Sequence, residues 1–249
     1  MVISARANRR VPQAMPNAVG PGIIRANVGS ESALALTSFC QLLQRRYAGQ
    51  LDEKADLYIE CAVDGAKRMQ DLINDLLALS RVGRLVRDQV PVSSAEALEQ
   101  ARANLSVPIE QSQASIESGE LPVVRAEAAL LTTVFQNLLS NALKFHGEDQ
   151  PHISVSAARD GAFWQISVTD NGIGVPPEYA ERIFMIFQRL HDRQAYPGTG
   201  IGLALSRKIV EYHGGRMWLD TEHSQGARFC FTLPVLPKDE DADDRQRGR

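Results

Sequence analysis

The sequence QNLLSNALKF occupies residues 136–145 and lies inside an amphipathic pattern that predicts a long helix. Within it, Asn137, Asn141 and Lys144 are spaced at i, i+4 and i+7, which places all three on one face of that helix. Taken singly, Asn141 would be interpreted as a satisfied buried amide and Lys144 as a solvated surface charge. Three polar residues on one face of an apolar helix indicate a binding surface instead.

Two glycine-rich motifs follow this helix. DNGIG, residues 170–174, ends a predicted strand with an acid and two glycines, a pattern that many turns share. GTGIG, residues 198–202, opens a predicted helix, and such a terminus presents free backbone N–H groups and a positive dipole end to a phosphate. Each motif is weak or moderate evidence alone, and the two become informative beside the polar helix face.

The segments around these motifs alternate between extended and helical periodicity. Helices are predicted at residues 94–105, 127–146 and 202–212. Extended segments are predicted at residues 89–92, 114–116, 123–124, 153–157, 164–169, 216–220 and 228–233. Residues 153–169 are interpreted as a β-hairpin across Arg159-Asp160-Gly161. This order predicts an α+β two-layer sandwich, with helices on one face of a mixed sheet.

The region before these elements has the pattern of a helical hairpin. A first amphipathic helix is predicted from Glu31 to about Ala48, and a second from the N-cap Asp52 to about Val82. A helix of about 30 residues extends roughly 45 Å, so the shorter helix cannot cover its apolar stripe. We therefore predict a homodimer through residues 31–84, in which two hairpins form a four-helix bundle. The alternative is that the stripe docks on the chain's own C-terminal domain.

Four regions follow from these patterns. Residues 1–30 are expected to be a disordered leader, because prolines and glycines interrupt any useful periodicity there. Residues 31–87 form the dimerisation hairpin, residues 88–236 form the α+β domain, and residues 237–249 are a charged tail that is expected to be disordered.

Composition limits the classes of function. The chain has 249 residues, of which 44% are hydrophobic and 23% charged, as in globular proteins. Its net charge of -3 gives no general attraction to nucleic acid or to an anionic membrane. The sequence shows neither a signal-peptide core nor an apolar run near the roughly 18 residues that span a bilayer, so we expect a cytoplasmic protein. The widely spaced Cys40, Cys61 and Cys230 are interpreted as reduced core thiols.

Taken together, the motifs resemble the ATP-binding domain of sensor histidine kinases, the Bergerat-type (GHKL) fold shared with gyrase, Hsp90 and MutL. QNLLSNALKF resembles the N box, DNGIGV the first glycine box, RIFMIFQRLH the F box and GTGIGLAL the second glycine box. This resemblance covers about residues 88–235. RLHDR, YPGTGIGLAL and the hairpin sequences SFCQLLQRRY and VDGAKRMQDLINDLLALSRV are most similar to the bacteriophytochrome-related kinases.

The resemblance implies a role for each polar residue of the motifs. Asp170 would accept a hydrogen bond from the adenine N6 amine, Asn141 would hold Mg²⁺ through its amide oxygen, and Lys144 would neutralise phosphate charge. Asn137 is expected to be structural. The full set of expected ATP-binding residues is Asn141, Lys144, Phe145, Asp170, Gly172, Gly174, Phe184, Phe187, Gly198, Thr199, Gly200, Ile201, Gly202 and Leu203.

The segment between the glycine boxes is expected to form an ATP lid. This lid would run from Pro176 to Pro197, with Phe184 and Phe187 holding it in place. Both phenylalanines are equally compatible with ordinary core positions. Phe145 stands where many relatives have tyrosine, so any hydroxyl contact made there is absent.

The resemblance breaks at the phospho-acceptor, which in histidine kinases lies on the first hairpin helix. Counting back from residues 38–43, the family's Ser-His-Asp-Leu-Gln-Glu-Pro-Leu stretch would occupy residues 26–33, which read ANVGSESA here. Only Glu31 agrees, and Asn27 cannot carry a phosphoramidate because an amide nitrogen is not nucleophilic as an imidazole is. All the histidines lie in the ATP-binding half: His146, His152, His191, His213 and His223.

The resemblance therefore implies the C-terminal transmitter of a two-component sensor histidine kinase, with a response regulator receiver domain as partner. It would bind Mg-ATP, and we do not expect it to phosphorylate itself. The alternative is a catalytically silent ATP-binding dimerisation module, either a natural pseudokinase or the product of a truncated or frame-shifted gene. Another ATPase of the same fold is disfavoured by the long hairpin and by the RLH sequence in the lid.

Overall fold

The structure is a computed structural model that describes residues 21–83, 89–190, 196 and 198–236, without the side chains of residues 21–31. The expected leader over residues 1–20 and the expected tail over residues 237–249 lie outside the described residues. Among the described helices, none combines the length and the apolar character that crossing a membrane requires.

The chain begins with a hairpin of two helices, α1 (Pro21–Tyr47) and α2 (Glu53–Arg81). The Asp52 carboxylate accepts a 2.7 Å hydrogen bond from the Ala55 N–H, which confirms the predicted N-cap of α2. The helices contact through the buried small side chains of Ala33, Val63 and Ala66. Small residues allow a close approach of the two backbones.

Helix α1 begins ten residues before the predicted start at Glu31, so the expectation of a disordered leader is wrong for residues 21–30. Pro21 occupies the first helical position, where its missing N–H would have no intrahelical partner in any case. Gly22 and Gly29 were interpreted as turn residues, but a helix tolerates isolated glycines at a cost of about 1 kcal/mol each.

The alternative in which the apolar stripe docks on the chain's own C-terminal domain holds for the end of the hairpin. At its C-terminal end, Leu79 and Val82 are buried in one core with the following domain. The Lys208 ammonium donates a 2.7 Å hydrogen bond to the carbonyl oxygen of Leu79. Further up the hairpin, large apolar side chains are exposed, among them Leu34, Leu36, Phe39, Leu42, Leu43, Leu57, Tyr58, Met69 and Leu76.

The rest of the described chain forms an α+β domain. Its strands are β1 (Val90–Ser93), β2 (Ser115–Ser118), β3 (Val123–Ala126), β4 (His152–Asp160), β5 (Phe163–Asp170), β6 (Met217–Leu219) and β7 (Arg228–Pro234). Its helices are α3 (Ser94–Asn104), α4 (Ser106–Ser112), α5 (Ala128–Lys144) and α6 (Gly202–Tyr212). Five strands form one sheet in the order β2-β4-β5-β7-β6, and only β2 pairs in parallel, with β4. The predicted mixed sheet is confirmed.

Three details differ from the sequence-based predictions. Strands β1 and β3 pair with each other in a separate two-stranded sheet. Helix α4 was not predicted; its Pro108 lies in the first turn, where proline is tolerated. Asp160 pairs with Phe163, so the β4–β5 turn is Gly161-Ala162 and not Arg159-Asp160-Gly161.

Helix α5 fixes the position of the predicted polar face. Its apolar face is buried against the sheet and the neighbouring helices, and the rings of Phe135 and Phe231 make an edge-to-face contact at 5.8 Å. Because the apolar face has one orientation in this core, Asn141 and Lys144 are directed to a cavity between α5 and the two glycine motifs.

Candidate functional site

A cavity of about 410 Å³ opens between α5, the end of β5 and the start of α6. Ten of the fourteen predicted site residues line it. The ten are Asn141, Lys144, Phe145, Asp170, Gly174, Gly198, Thr199, Gly200, Gly202 and Leu203. The other four lie around it. Gly172 lines an adjoining open cleft, and Ile201 is fully buried in the core.

The two predicted lid phenylalanines have different environments. Phe184 is buried and makes an edge-to-face contact with Phe229 at 6.4 Å, so it packs in the core. Phe187 is 59% exposed and has a positive φ of 65°, a strained backbone conformation for a bulky residue. Its N–H donates to the carbonyl oxygen of Gly200 at 3.1 Å, which ties the lid to the second glycine motif. Lid residues 191–195 and 197, His191 included, lie outside the described residues.

Asp170, at the end of β5, has a fixed orientation. Its Oδ1 accepts hydrogen bonds from the N–H groups of Gly172 at 2.9 Å and Ala227 at 3.0 Å. Within the described part of the chain, both hydrogen bonds to this carboxylate go to Oδ1, which leaves Oδ2 to accept from a ligand. Burial raises the pKa of Asp170 above its ordinary value, while the two N–H groups and the nearby His223 oppose that shift.

Two glycines permit this arrangement by their lack of a side chain. A Cβ on Gly172 would lie 2.3 Å from the carbonyl oxygen of Phe145, and a Cβ on Gly226 would lie 1.9 Å from that of Asp170. Neither neighbour can give way, because each is backbone. Gly172 was predicted as a site residue for close backbone approach, whereas Gly226 was not recognised.

Helix α5 supplies the predicted polar residues Asn137, Asn141 and Lys144 to the cavity, together with Ser140. The Asn137 amide donates to the Gly202 carbonyl oxygen at 3.0 Å and to the Ser206 hydroxyl at 3.1 Å, so it joins α5 to α6. The Lys144 ammonium lies 4.7 Å from the centroid of the Phe145 ring. Burial, and then the charge of Arg189, lowers the pKa of Lys144. Two cations, Lys144 and Arg189, therefore line one cavity.

The second glycine motif leads into α6. Helix α6 begins at Gly202 without a side-chain cap, so its first N–H groups are available to an anion. Gly200 has a φ of 74°, in the region that favours glycine. The Thr199 hydroxyl accepts from the Ile201 N–H at 3.3 Å and donates to the Asp75 carboxylate at 2.6 Å.

Several residues of the cavity were not predicted as site residues. They are Asp75, Asn137, Ser140, Ile173, Val175, Ile183, Gln188, Arg189, Leu190, Ala227 and Phe229. The apolar members have the same sequence pattern as core residues, so the sequence holds no signal that separates them. Asp75 comes from the hairpin and reaches the cavity only because α2 packs on α6.

The donor set fits a magnesium ion that a nucleotide brings with it. Among the described residues, no cluster of three or more His, Cys, Asp or Glu side chains is suited to hold a metal on its own. Asn141 supplies one amide oxygen to the cavity. Mg²⁺ takes oxygen ligands, keeps several waters and is commonly held by one or two protein groups together with phosphate oxygens.

Comparison with known protein families places both parts of the chain. Residues 126–237 match the histidine kinase-, DNA gyrase B-, and HSP90-like ATPase family, and residues 35–84 match the His Kinase A (phospho-acceptor) domain. The two matches together take in well over half of the chain.

Relatives of known identity agree with these matches. The phytochrome-like protein Cph1 of Synechocystis sp. is 42% identical over 200 residues, which are 80% of this chain and 27% of that protein. Cyanobacterial phytochrome A of Nostoc sp. is 42% identical over 214 residues, 86% of this chain and 28% of that protein. The chain thus spans little more than a quarter of the length of these curated relatives.

A solved structure shares the arrangement of hairpin and α+β domain. Full-length ShkA in complex with AMPPNP is 25% identical, with a TM-score of 0.66, over 85% of this chain and 45% of that one. The fold expected from the GHKL resemblance is therefore confirmed. The chain belongs to the histidine kinases, with a His Kinase A hairpin followed by an ATPase domain of the GHKL type.

Proposed function

We propose that the chain is the C-terminal transmitter part of a two-component sensor histidine kinase and binds Mg-ATP in the 410 Å³ cavity. The observation that carries this proposal is the Asp170 carboxylate, held by two backbone N–H groups with its second oxygen available. A fixed carboxylate accepts from the amine of adenine and has no donor for the carbonyl oxygen of guanine. The site therefore selects adenine.

The opposite end of the ligand would meet the cations. Lys144 and Arg189 neutralise phosphate charge, and the N-terminus of α6 offers backbone N–H groups. Asn141 would hold Mg²⁺ through its amide oxygen while the phosphates supply further ligands. The Asp170 carboxylate would thus bind the adenine end of the nucleotide, and the two cations would bind its phosphate end.

Calorimetric titration of the chain with Mg-ATP and Mg-GTP tests the proposed ligand. We expect saturable binding of Mg-ATP and much weaker binding of Mg-GTP. Asn141→Ala should reduce the affinity for Mg-ATP more than the affinity for ATP in the presence of a chelator, because the amide contacts the nucleotide through the ion. Equal affinities for the two nucleotides would contradict the adenine site.

The chain would bind the nucleotide without a phospho-acceptor histidine at the position where the family has one. The first histidine in the sequence is His146, beyond both hairpin helices. The match to the His Kinase A domain begins at residue 35, downstream of the stretch at residues 26–33 where the acceptor histidine is expected. These observations favour a second candidate function, an ATP-binding dimerisation module that is catalytically silent.

Incubation with γ-labelled ATP separates the two candidates. The chain is tested alone and mixed with an intact relative whose nucleotide site is disabled, and acid-labile label is then measured on each. Label on the relative alone would support a working kinase that lacks an acceptor, and label on neither would support the silent module. Label on this chain alone would contradict our interpretation of Asn27.

The partners follow from the hairpin and from the family. We propose a homodimer through residues 31–84, since the described side chains of α1 and α2 include many large apolar ones that are exposed. A response regulator receiver domain is the proposed acceptor in onward signalling, and the cytoplasm is the proposed location. Nucleic acid is not among the proposed partners, because the net charge is -3.

A further inference from the structure

We propose that Asp75, contributed by hairpin helix α2, belongs to the nucleotide site and couples the phosphates of the nucleotide to the position of the hairpin. Its carboxylate lines the cavity and accepts a 2.6 Å hydrogen bond from the Thr199 hydroxyl. This inference rests on the proposed binding of Mg-ATP. It adds that nucleotide binding and hairpin docking oppose each other through one side chain.

Through Thr199, Asp75 brings a negative charge to the segment that leads into the N-terminus of α6. Thr199 lies three residues before the start of α6, and its hydroxyl also accepts from the Ile201 N–H. A negative charge near such a terminus is stabilised by the helix dipole and by the free N–H groups. In this structure the hairpin supplies that charge, and a triphosphate would bring several more charges to the same place.

The Asp75 carboxylate is partly removed from water at this position, which disfavours its charged form. Burial raises the pKa of Asp75, the Thr199 hydrogen bond opposes that shift, and the neighbouring Asp71 adds to it. A negatively charged phosphate group close to the Asp75 carboxylate is therefore poorly tolerated. When phosphates enter, we expect Asp75 to release Thr199.

Release of Asp75 would loosen the whole end of the hairpin. The same face of α6 holds this end at two further points, where Lys208 donates to the Leu79 carbonyl oxygen and the Tyr212 ring lies against Gly83. The three contacts follow one another along α2 and α6. Loss of the first would therefore weaken the other two.

The test compares Asp75→Asn with the matched control Asp64→Asn, which removes the same charge from an exposed position about three turns earlier on α2. The full chain is titrated with Mg-ATP and with Mg-ADP. We expect Asp75→Asn to bind Mg-ATP about tenfold more tightly, within the usual range of coupling between two sites. Mg-ADP should change by less than about threefold, because it brings less phosphate charge. Asp64→Asn should match the parent chain for both nucleotides.

Amide hydrogen exchange over residues 72–83 measures the reciprocal effect. Because coupling between two equilibria is mutual, Mg-ATP should accelerate exchange in this segment of the parent chain and have a much smaller effect in Asp75→Asn. Unchanged or weaker binding of Mg-ATP by Asp75→Asn would overturn the inference and leave the proposed function intact. Failure of the parent chain to bind Mg-ATP would overturn both.

Discussion

At the scale of single residues, Asp170 gives the sharpest prediction about the ligand. In Asp170→Asn the amide oxygen can keep both backbone hydrogen bonds of Oδ1, so the amide nitrogen takes the place of Oδ2. A donor then faces the adenine amine. We expect Mg-ATP to bind about 10- to 100-fold more weakly, the usual cost of losing a hydrogen bond to a charged group.

Selectivity checks the mechanism of that loss. The new donor can serve the carbonyl oxygen of guanine. The affinity for Mg-GTP should therefore fall less than the affinity for Mg-ATP, and the preference for Mg-ATP should decrease. Asp160→Asn, at the exposed β4–β5 turn, is the matched control and should behave as the parent chain. A variant at Asp170 that keeps both its affinity and its preference for adenine would show that this carboxylate does not contact the base.

His213 predicts how stability depends on pH. This buried imidazole accepts from the Glu127 N–H at Nε2 and lies 2.7 Å from the Ile209 carbonyl oxygen at Nδ1, so the neutral ring with a proton on Nδ1 satisfies both. Burial lowers its pKa below the ordinary 6.5. The unfolded chain therefore binds the proton more readily, and the free energy of unfolding should decrease as the pH falls below about 6.5.

Denaturant unfolding at several pH values measures this effect. Below pH 6.5, the free energy of unfolding should decrease by up to about 1.4 kcal/mol per pH unit, the change that one proton gives. This decrease should continue until the His213 ring of the folded chain is itself protonated. His213→Gln offers one donor and one acceptor without titrating, and it should flatten this part of the profile. An equal slope in the parent chain and in His213→Gln would exclude His213 as its source.

At the scale of elements, the exposed face of the hairpin gives the prediction about assembly. Phe39 is 66% exposed on α1 within a row of apolar side chains. Phe39→Glu would place an unpaired carboxylate in the dimer interface, and we expect the dissociation constant measured by sedimentation to rise about 100-fold or more. Asn74→Glu adds the same charge on the polar face of α2 and should leave the dimer intact. A dimer unaffected by Phe39→Glu would have to form through another surface.

The elements also show which features the sequence could reveal. The polar face of α5 and Asp170 were predictable, because polar side chains at regular spacing stand out in an apolar helix or at a strand end. The start of α1 at Pro21 was not, since isolated glycines have the same pattern in a turn and in a weak helix. Neither Gly226 nor Asp75 carries a local signal. Each depends on which backbone or which helix the fold brings against it.

At the scale of the whole molecule, the hairpin and the ATPase domain share part of one core. Leu79 and Val82 of the hairpin are buried together with side chains of the following domain. The same end of α2 carries Asp75 into the cavity. A change at the nucleotide is thus linked to the hairpin by packing as well as by charge, and the two contributions can be separated.

Leu79→Ala tests the packing without touching the charge. Truncating a buried leucine leaves a cavity, and we expect the free energy of unfolding at a fixed protein concentration to fall by about 2–3 kcal/mol. Leu51→Ala, at the exposed turn of the hairpin, is the matched control and should cost less than about 0.5 kcal/mol. If both variants cost the same, the end of the hairpin does not pack on the domain. If Leu79→Ala alone is costly and also speeds amide exchange at Asp75, packing at Leu79 is what holds the carboxylate against Thr199.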